Sequence, residues 1–307
     1  MVRKVRETID ADFKVVLINT DERSFGTDPT VVNVSLLAAG RGTGSRSARG
    51  RALAESRIQE IEAAMGDAQI VIIVAALGGG TGSGATPVVL TAAAKAGSTP
   101  ILVAISPDGS DSPRCHQNAA EALGKIQPLV STLIVRQLDA AADVPEEAES
   151  EFVRIRPLRE AAEWVVLVVR DLIAILDEEG QAISAYDSSD LEEWLRQKGK
   201  VIWASATAKG TSRAADACIE ALRSNRKDSK ENAQASATLC VVSGREAPTI
   251  ADIKAVLAIV RDWMGPLGLL IFYAREDARI AEDSRRVTLV TKAPRRRDVL
   301  SLVSSSP

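Results

Sequence analysis

The sequence holds one histidine, three cysteines and few aromatic residues, 3 % of 307. It has no apolar run approaching the ~18 residues that a membrane helix needs. Each scarcity excludes something. His116 alone cannot furnish a site that requires two imidazoles. Cys115, Cys218 and Cys240 are odd in number and widely spaced, which fits neither a disulfide framework nor a zinc site and makes a reducing compartment the expectation. With so few rings, the core must be built from Ala, Val, Leu and Ile. Lys plus Arg number 38 against 41 Asp plus Glu, so the basic excess of a nucleic-acid binder is missing and no nucleic-acid partner is expected. Met1-Val-Arg-Lys-Val-Arg-Glu7 lacks the apolar core of a signal peptide. These readings describe a cytoplasmic protein with no membrane span. Its length suits about two domains at the usual ~150 residues each.

What is present alternates between two periods. Residues 13–19 (FKVVLIN) read as a buried strand, and a second apolar run spans 31–37. Helical periodicity holds from Ser47 to Met65, with Leu53, Ile58 and Ile61 as apolar points. Gln69 to Leu77 is the strongest strand, and the helix after it, with Pro87 in its first turn, runs to about Ala96. A strand at 100–106, a helix at 113–127 and a strand at 131–136 follow. This alternation predicts a parallel sheet with helices on both faces. The acid-rich stretch 139–151 reads as a solvated loop, and 157–178 as one long buried helix despite its strand-like VVLVV. Beyond it come a helix at 189–198, strand 200–206, helix 212–223, strand 236–242 and helix 249–264. Strands at 268–275 and 285–293 then follow without a helix between them, which predicts a mixed second sheet. The fold class is α/β: a parallel-sheet domain joined by a long central helix to a smaller α/β domain with a mixed sheet.

The nucleotide reading rests on Gly78-Gly79-Gly80-Thr81-Gly82-Ser83-Gly84, between the strongest strand and a helix start. Five glycines let backbone N–H groups approach a phosphate closely. Thr81 and Ser83 add hydroxyls, and the helix start adds the positive end of its dipole. No Gly-Lys-Ser/Thr follows, so this is no Walker loop, and Ser83 stands where the dinucleotide fingerprint needs its third glycine. A flexible strand–helix turn is the bland alternative.

That septet, with VIIVAAL before it and ATPVV after it, resembles the signature of the tubulin/FtsZ family of GTPases. Asn19-Thr20-Asp21 is similar to the family's second nucleotide loop. GRGTGSRSARGRALAESR from Gly40, which includes Gly42, Thr43 and Gly44, is similar to its third loop and following helix. Asp187 and Asp190 in AYDSSDL resemble the two acidic positions of the synergy loop, and LLIFYAREDARIAEDSRRVTLVTKA fits the end of the second domain. The similarity extends over about residues 2–293. It implies a GTP-binding domain at 1–156, a connecting helix at 157–180, a carboxy-terminal domain with the synergy loop at 181–293, and a short basic tail at 294–307. It implies GTP with Mg2+, held by the septet and third loop, with no protein metal site. It implies a head-to-tail filament of this chain for cell division, in which the neighbour's Asp187 and Asp190 polarise the attacking water. The alternative is a non-hydrolysing structural or regulatory partner of true FtsZ filaments, and any membrane contact would run through adaptors. Taken alone, two carboxylates three residues apart at a loop–helix junction can share one target. They can also be ordinary helix caps.

The sequence departs from the family pattern at several places. Met1 to Ile9 reads as the tail of the first helix, so the opening strand and glycine-rich loop are expected to be lacking. The long helix's purine-facing aromatic and Asn-Asp pair fall near Arg159 and Glu163-Trp164; a guanidinium can stack on a purine, and a Glu163 carboxylate can accept guanine's N–H donors. Ala185 replaces the usual Asn, and the chain closes on RRRDVLSLVSSSP without the family's linker and partner peptide. Asp111 and Arg114 lie where the family places a ribose-contacting acid and a base- or phosphate-contacting cation; both also suit a helix start. Cys115 and His116 are adjacent and point apart on a helix, so they make no nucleophile pair. Arg295 to Arg297 read as solvated tail.

Overall fold

The computed structural model describes residues 13–36, 42–138, 152–176, 183–184, 188–198, 200–228, 235–265 and 268–293. The acid-rich stretch 139–151, the opening residues and the basic tail lie outside them. The chain divides into two compact units, Met1–Ile173 and Ala174–Pro307.

In the first unit, β1 (Val15–Asn19) pairs in parallel with β2 (Val31–Ser35), and a short 3-10 turn at Glu22–Ser24 follows β1. The helix expected over 47–65 is two helices, α1 (Ser47–Ser56) and α2 (Ile58–Met65). Arg57, at φ −114° and ψ 21°, breaks the spiral between them. Next come β3 (Ile70–Ala76), α3 (Gly80–Lys95), β4 (Thr99–Ser106), α4 (Pro113–Ile126) and β5 (Thr132–Gln137). Strand β4 pairs in parallel with both β3 and β5, as the β/α alternation requires.

Helix α3 is buried over most of its length. Ala85, Val88, Val89, Ala92 and Ala93 pack with Val34, Leu36, Ala54 and Ile61, whereas Leu90 packs with Leu102, Ala119, Ala122 and Ile126. A fully buried Leu or Ile of this kind stabilises by about 1.5–3 kcal/mol over an exposed one. With few aromatics available, the interior gains density by bringing backbones together. A Cβ on Gly50 of α1 would sit 2.0 Å from the Gly80 carbonyl oxygen, and one on Gly84 would sit 2.2 Å from that of Ser47.

The septet is less of a loop than expected, because α3 begins at Gly80 and takes in its last five residues. Pro87 therefore lies inside the helix instead of in its first turn, where it has no N–H for the Ser83 carbonyl. The Thr86 and Thr91 hydroxyls donate to the carbonyls of Gly82 and Pro87, a back-bonding habit of threonine in helices.

Helix α5 (Phe152–Leu176) is continuous, so the VVLVV run is helical, and the boundary between the units falls within it. Val165, Val168, Val169 and Leu172 are buried.

The second unit contains β6 (Ile183–Ser184), α6 (Ser188–Arg196), β7 (Lys200–Lys209), α7 (Arg213–Asp228), β8 (Ala237–Gly244), α8 (Ile250–Met264), β9 (Leu269–Glu276) and β10 (Ser284–Ala293). Strand β10 lies antiparallel between β7 and β8, β8 runs parallel to β9, and the two-residue β6 adds antiparallel to β9. The sheet is mixed, as the two final strands without a helix between them predict. Ala217, Cys218 and Ala221 of α7 and Val256, Val260 and Met264 of α8 cover its Cys240, Val242, Phe272, Val287 and Leu289. Burial pushes the Cys218 thiol up to about 12 and that of Cys240 well above its ordinary value, so both act as small apolar side chains.

Candidate nucleotide-binding site

Three segments meet at the start of α3. The turn after β1 arrives through Thr20, buried, whose Oγ1 shares a hydrogen bond with the Thr81 Oγ1 at 2.7 Å. Asn19 shapes that turn: its Oδ1 accepts from the N–H groups of Thr20 (2.7 Å) and Asp21 (3.2 Å). Asp21 in turn pairs with Arg23, which holds its carboxyl below the usual carboxylate range.

The third loop arrives through Thr43, which is buried, with Gly42 and Gly44 exposed beside it. Its Oγ1 lies so close to Gly80 that a Cβ there would be 2.3 Å away. Gly44 and Ser45 both take positive φ, 58° and 56°, and the Arg46 N–H closes the turn onto the Thr43 carbonyl at 3.3 Å. Ser45 is the sole described non-glycine in that region, a conformation that costs about 1 kcal/mol or more.

Within the septet, the five glycines divide by use. Gly80, Gly82 and Gly84 leave room for protein: a Cβ on Gly82 would stand 1.9 Å from the Ala76 carbonyl oxygen. Gly78 takes φ 103°, against Pro107 and Cys115. Only Gly79 is exposed and has nothing within 4 Å of its Cβ position. The reason expected for all five, room for a phosphate, therefore fits Gly79 alone. Ser83 also turns inward, accepting the Gly78 N–H on its Oγ at 2.8 Å.

What faces outward is backbone. Gly79 is the N-cap of α3 and provides no side-chain cap, and the first intrahelical bond is that of the Ser83 N–H to the Gly79 carbonyl. The N–H groups of Gly80, Thr81 and Gly82 thus precede any intrahelical acceptor. Such a helix start carries partial positive charge suited to an anion.

Sequence reasoning missed Thr20's bridge and, above all, Asn118. This residue of α4 is buried and donates from Nδ2 to both the Ser45 carbonyl (3.0 Å) and the Gly78 carbonyl (2.9 Å). Its signal was a lone polar side chain on the face that otherwise carries Ala119, Ala122 and Ile126.

The remaining candidates sit apart from these bonds. Asp111, exposed, accepts the Asp108 N–H at 3.0 Å and shapes the turn before α4; Arg114 is exposed in that helix's first turn. Glu163 pairs with Arg159 at 3.5 Å on an exposed face of α5, and Trp164 is buried under the Arg136 guanidinium, 5.6 Å from the ring centroid. Asp190 is half-buried in the first turn of α6. Asp187 and Ala185 lie outside the described residues.

A parallel α/β unit with a glycine-rich turn at a helix start, followed by a mixed-sheet unit, has the architecture of the tubulin-like two-domain proteins. Residues 5–145 match the GTPase domain of the tubulin/FtsZ family. Cell division protein FtsZ 1 of Methanocaldococcus jannaschii is 28 % identical over 284 residues, covering 90 % of this chain and 75 % of that protein. Cell division protein FtsZ of Mycoplasmopsis pulmonis is 24 % identical, covering 87 % and 67 %. Among solved structures, an empty FtsZ dimer from M. jannaschii superposes with a TM-score of 0.80 at 26 % identity, covering 91 % of this chain and 80 % of that one. CetZ2 of Haloferax volcanii shares the fold at 0.67 and 23 % identity, covering 94 % and 86 %. Sequence and fold agree: residues 5–145 carry the match to the tubulin/FtsZ GTPase domain, and most of the chain has the fold of the FtsZ structures.

Proposed function

We propose that this protein binds GTP at the start of α3, assembles head to tail into filaments that serve cell division, and hydrolyses GTP where two copies meet. The observation that carries the reading is the gathering of the 19–21 turn, the 42–46 loop and the septet around a helix start whose first N–H groups lack a side-chain cap. The named relatives are cell division proteins, and one solved neighbour is an FtsZ dimer.

On this reading, phosphate oxygens accept from the septet's backbone N–H groups, and the dipole of α3 adds to the attraction. Gly42, Thr43 and Gly44 flank the phosphates, Asn19 and Thr20 hold the neighbouring turn, and Asp111, Arg114 and Glu163 are offered to the ribose and base. Among the described residues no three His, Cys, Asp or Glu side chains gather as a metal site. The hydroxyl oxygens of Thr20 and Thr81 are the side-chain groups that would meet Mg2+ arriving on the phosphates, and the ion would there offset phosphate charge. The next copy contributes Asp187 and Asp190, which orient a water toward the terminal phosphorus and take up its proton as the bond to the bridging oxygen breaks, leaving GDP and phosphate. Positioning and electrostatics supply the catalysis.

The test is calorimetric titration with GTP, followed by turnover measured across protein concentration. GTP binding with specific activity that rises with concentration is expected, because a lone subunit lacks its neighbour's carboxylates. Constant specific activity would overturn the shared site, and absent GTP binding would overturn the nucleotide reading. GTP binding and assembly without turnover would leave a filament partner that does not hydrolyse.

A further inference from the structure

We infer that Asn118 is a positioning residue that aims the Gly79 N–H at a bound phosphate and locks the third loop beside it. The inference deepens the nucleotide reading and rests on it. In a trans peptide the C=O and the following N–H point in opposite directions. Asn118 Nδ2 draws the Gly78 carbonyl inward at 2.9 Å, so the N–H of Gly79 in the same peptide plane points away from the interior. That is the direction of the one septet residue that is exposed and unobstructed.

The preceding peptide, between Leu77 and Gly78, is fixed as well, because the Gly78 N–H donates to Ser83 Oγ at 2.8 Å. The remaining amide proton of Asn118 goes to the Ser45 carbonyl at 3.0 Å. It stabilises the positive-φ Gly44-Ser45 turn that brings Thr43 against Gly80. The amide orientation is settled by its partners: both are carbonyl oxygens, which only accept, so the NH2 group must face them. One buried side chain therefore spends both its protons on fixing two loops relative to each other.

The experiment uses the whole chain and three variants, Asn118→Leu, Asn118→Ser and Asn118→Asp, with Ile126→Val as a control. Ile126 lies fully buried on the same helix and packs in the apolar cluster with Leu90 and Leu102. Affinities for GTP and for guanosine are measured on folded protein at pH 6 and pH 8. Asn118→Leu removes both donors and should weaken GTP about tenfold while leaving guanosine unchanged, since only phosphates meet the aimed N–H. Asn118→Ser keeps one donor and should fall between. Asn118→Asp sets a carboxylate against two carbonyls at pH 8 and should bind GTP worst there. It should recover toward pH 6 as the carboxyl gains a proton to donate, a pH dependence the other variants lack.

Ile126→Val should lower the melting temperature and leave both affinities alone. Folded Asn118 variants that bind GTP like the wild type, or that lose GTP and guanosine equally, would overturn the inference while leaving the nucleotide reading standing. Wild type that binds no GTP would overturn both.

Discussion

Helices α3 and α8 both follow a strand, and their first turns are built in opposite ways. In α8, Thr249 Oγ1 accepts the Asp252 N–H and the Asp252 carboxylate accepts the Thr249 N–H, both at 3.1 Å, so that end is satisfied by its own residues. In α3, the N-cap is a bare, exposed glycine with two other loops beside it. The contrast extends to a helix end of the other polarity. The carbonyls of Trp194 and Leu195 in the last turn of α6, and of Gln197 just past it, accept from the fully buried Lys292 ammonium at 2.6, 3.2 and 2.8 Å. Where the second unit closes these two helix ends with side chains, the first unit leaves the start of α3 without a side-chain cap and invests its side chains in holding the surrounding loops. That is the difference between an end closed by its own side chains and one free to take the proposed phosphate.

The largest expected effect tests the division among the septet's glycines. Gly82→Val should cost about 3 kcal/mol or more, since its Cβ would meet the Ala76 carbonyl oxygen at 1.9 Å. The protein should fail to fold or melt far below the wild type in a thermal scan. Gly79→Ala should fold normally, because Gly79 has an ordinary φ of −77° and open space around it, yet bind GTP more weakly. A stable Gly82→Val or an unstable Gly79→Ala would undo the distinction.

This division was not legible in the sequence. The septet's composition predicts a phosphate loop, but which glycines stay open and which face another backbone depends on α1 crossing α3 at Gly50, a contact between residues about thirty apart in the chain. The β/α alternation was readable because each element's burial imposes its own period, and even VVLVV resolved correctly as helix from its length and flanks. The break at Arg57 and the two-residue β6 were not, because neither carries a turn residue or a run long enough to set a pattern. Asn118 showed only as a polar residue on an apolar face. Its partners are carbonyls of glycine and serine, and backbone acceptors leave no mark on composition.

Second in size is the proposed role of Asp190. Asp190→Ala should retain GTP affinity and slow turnover about 10²-fold, the usual contribution of a positioned acid or base. Mixing it into wild type should lower activity in proportion to the faces it supplies. A helix-cap role alone would shift only the melting temperature, by the ~1 kcal/mol typical of a lost cap.

A smaller, pH-dependent effect probes the closed end of α6. Burial pushes the Lys292 ammonium down to about 7, against three carbonyls and a Trp194 ring 4.1 Å from Nζ, all of which favour its charge. The unfolded chain holds this proton up to its ordinary 10.5. Between about 7 and 10.5 the unfolded state therefore binds more protons, and stability should rise with pH across that window. Urea denaturation at pH 7 and pH 9 should show the rise in wild type and a flatter profile in Lys292→Met. The same slope in both proteins would assign the titration elsewhere.

The smallest effect returns to α8. Thr249→Ala should cost about 1 kcal/mol, because the Asp252 N–H loses its acceptor at an end where water can partly replace it. The loss is bounded from the other side of the box. Burial acts to raise the Asp252 carboxyl, but the Thr249 N–H, the Arg285 guanidinium at 3.0 Å and the Thr249 hydroxyl outweigh it and hold the group below its ordinary value. That lowering stabilises the fold above the ordinary carboxylate range and is lost as pH falls through the folded value. The backbone N–H of residue 249 and Arg285 both survive the substitution, so most of the acid-side dependence should survive with them. GTP affinity should not move at all, since α8 closes on itself within the second unit. A change in GTP affinity would mean that a self-satisfied helix end also reports on the nucleotide, and the contrast between the two helix starts would then be one of degree.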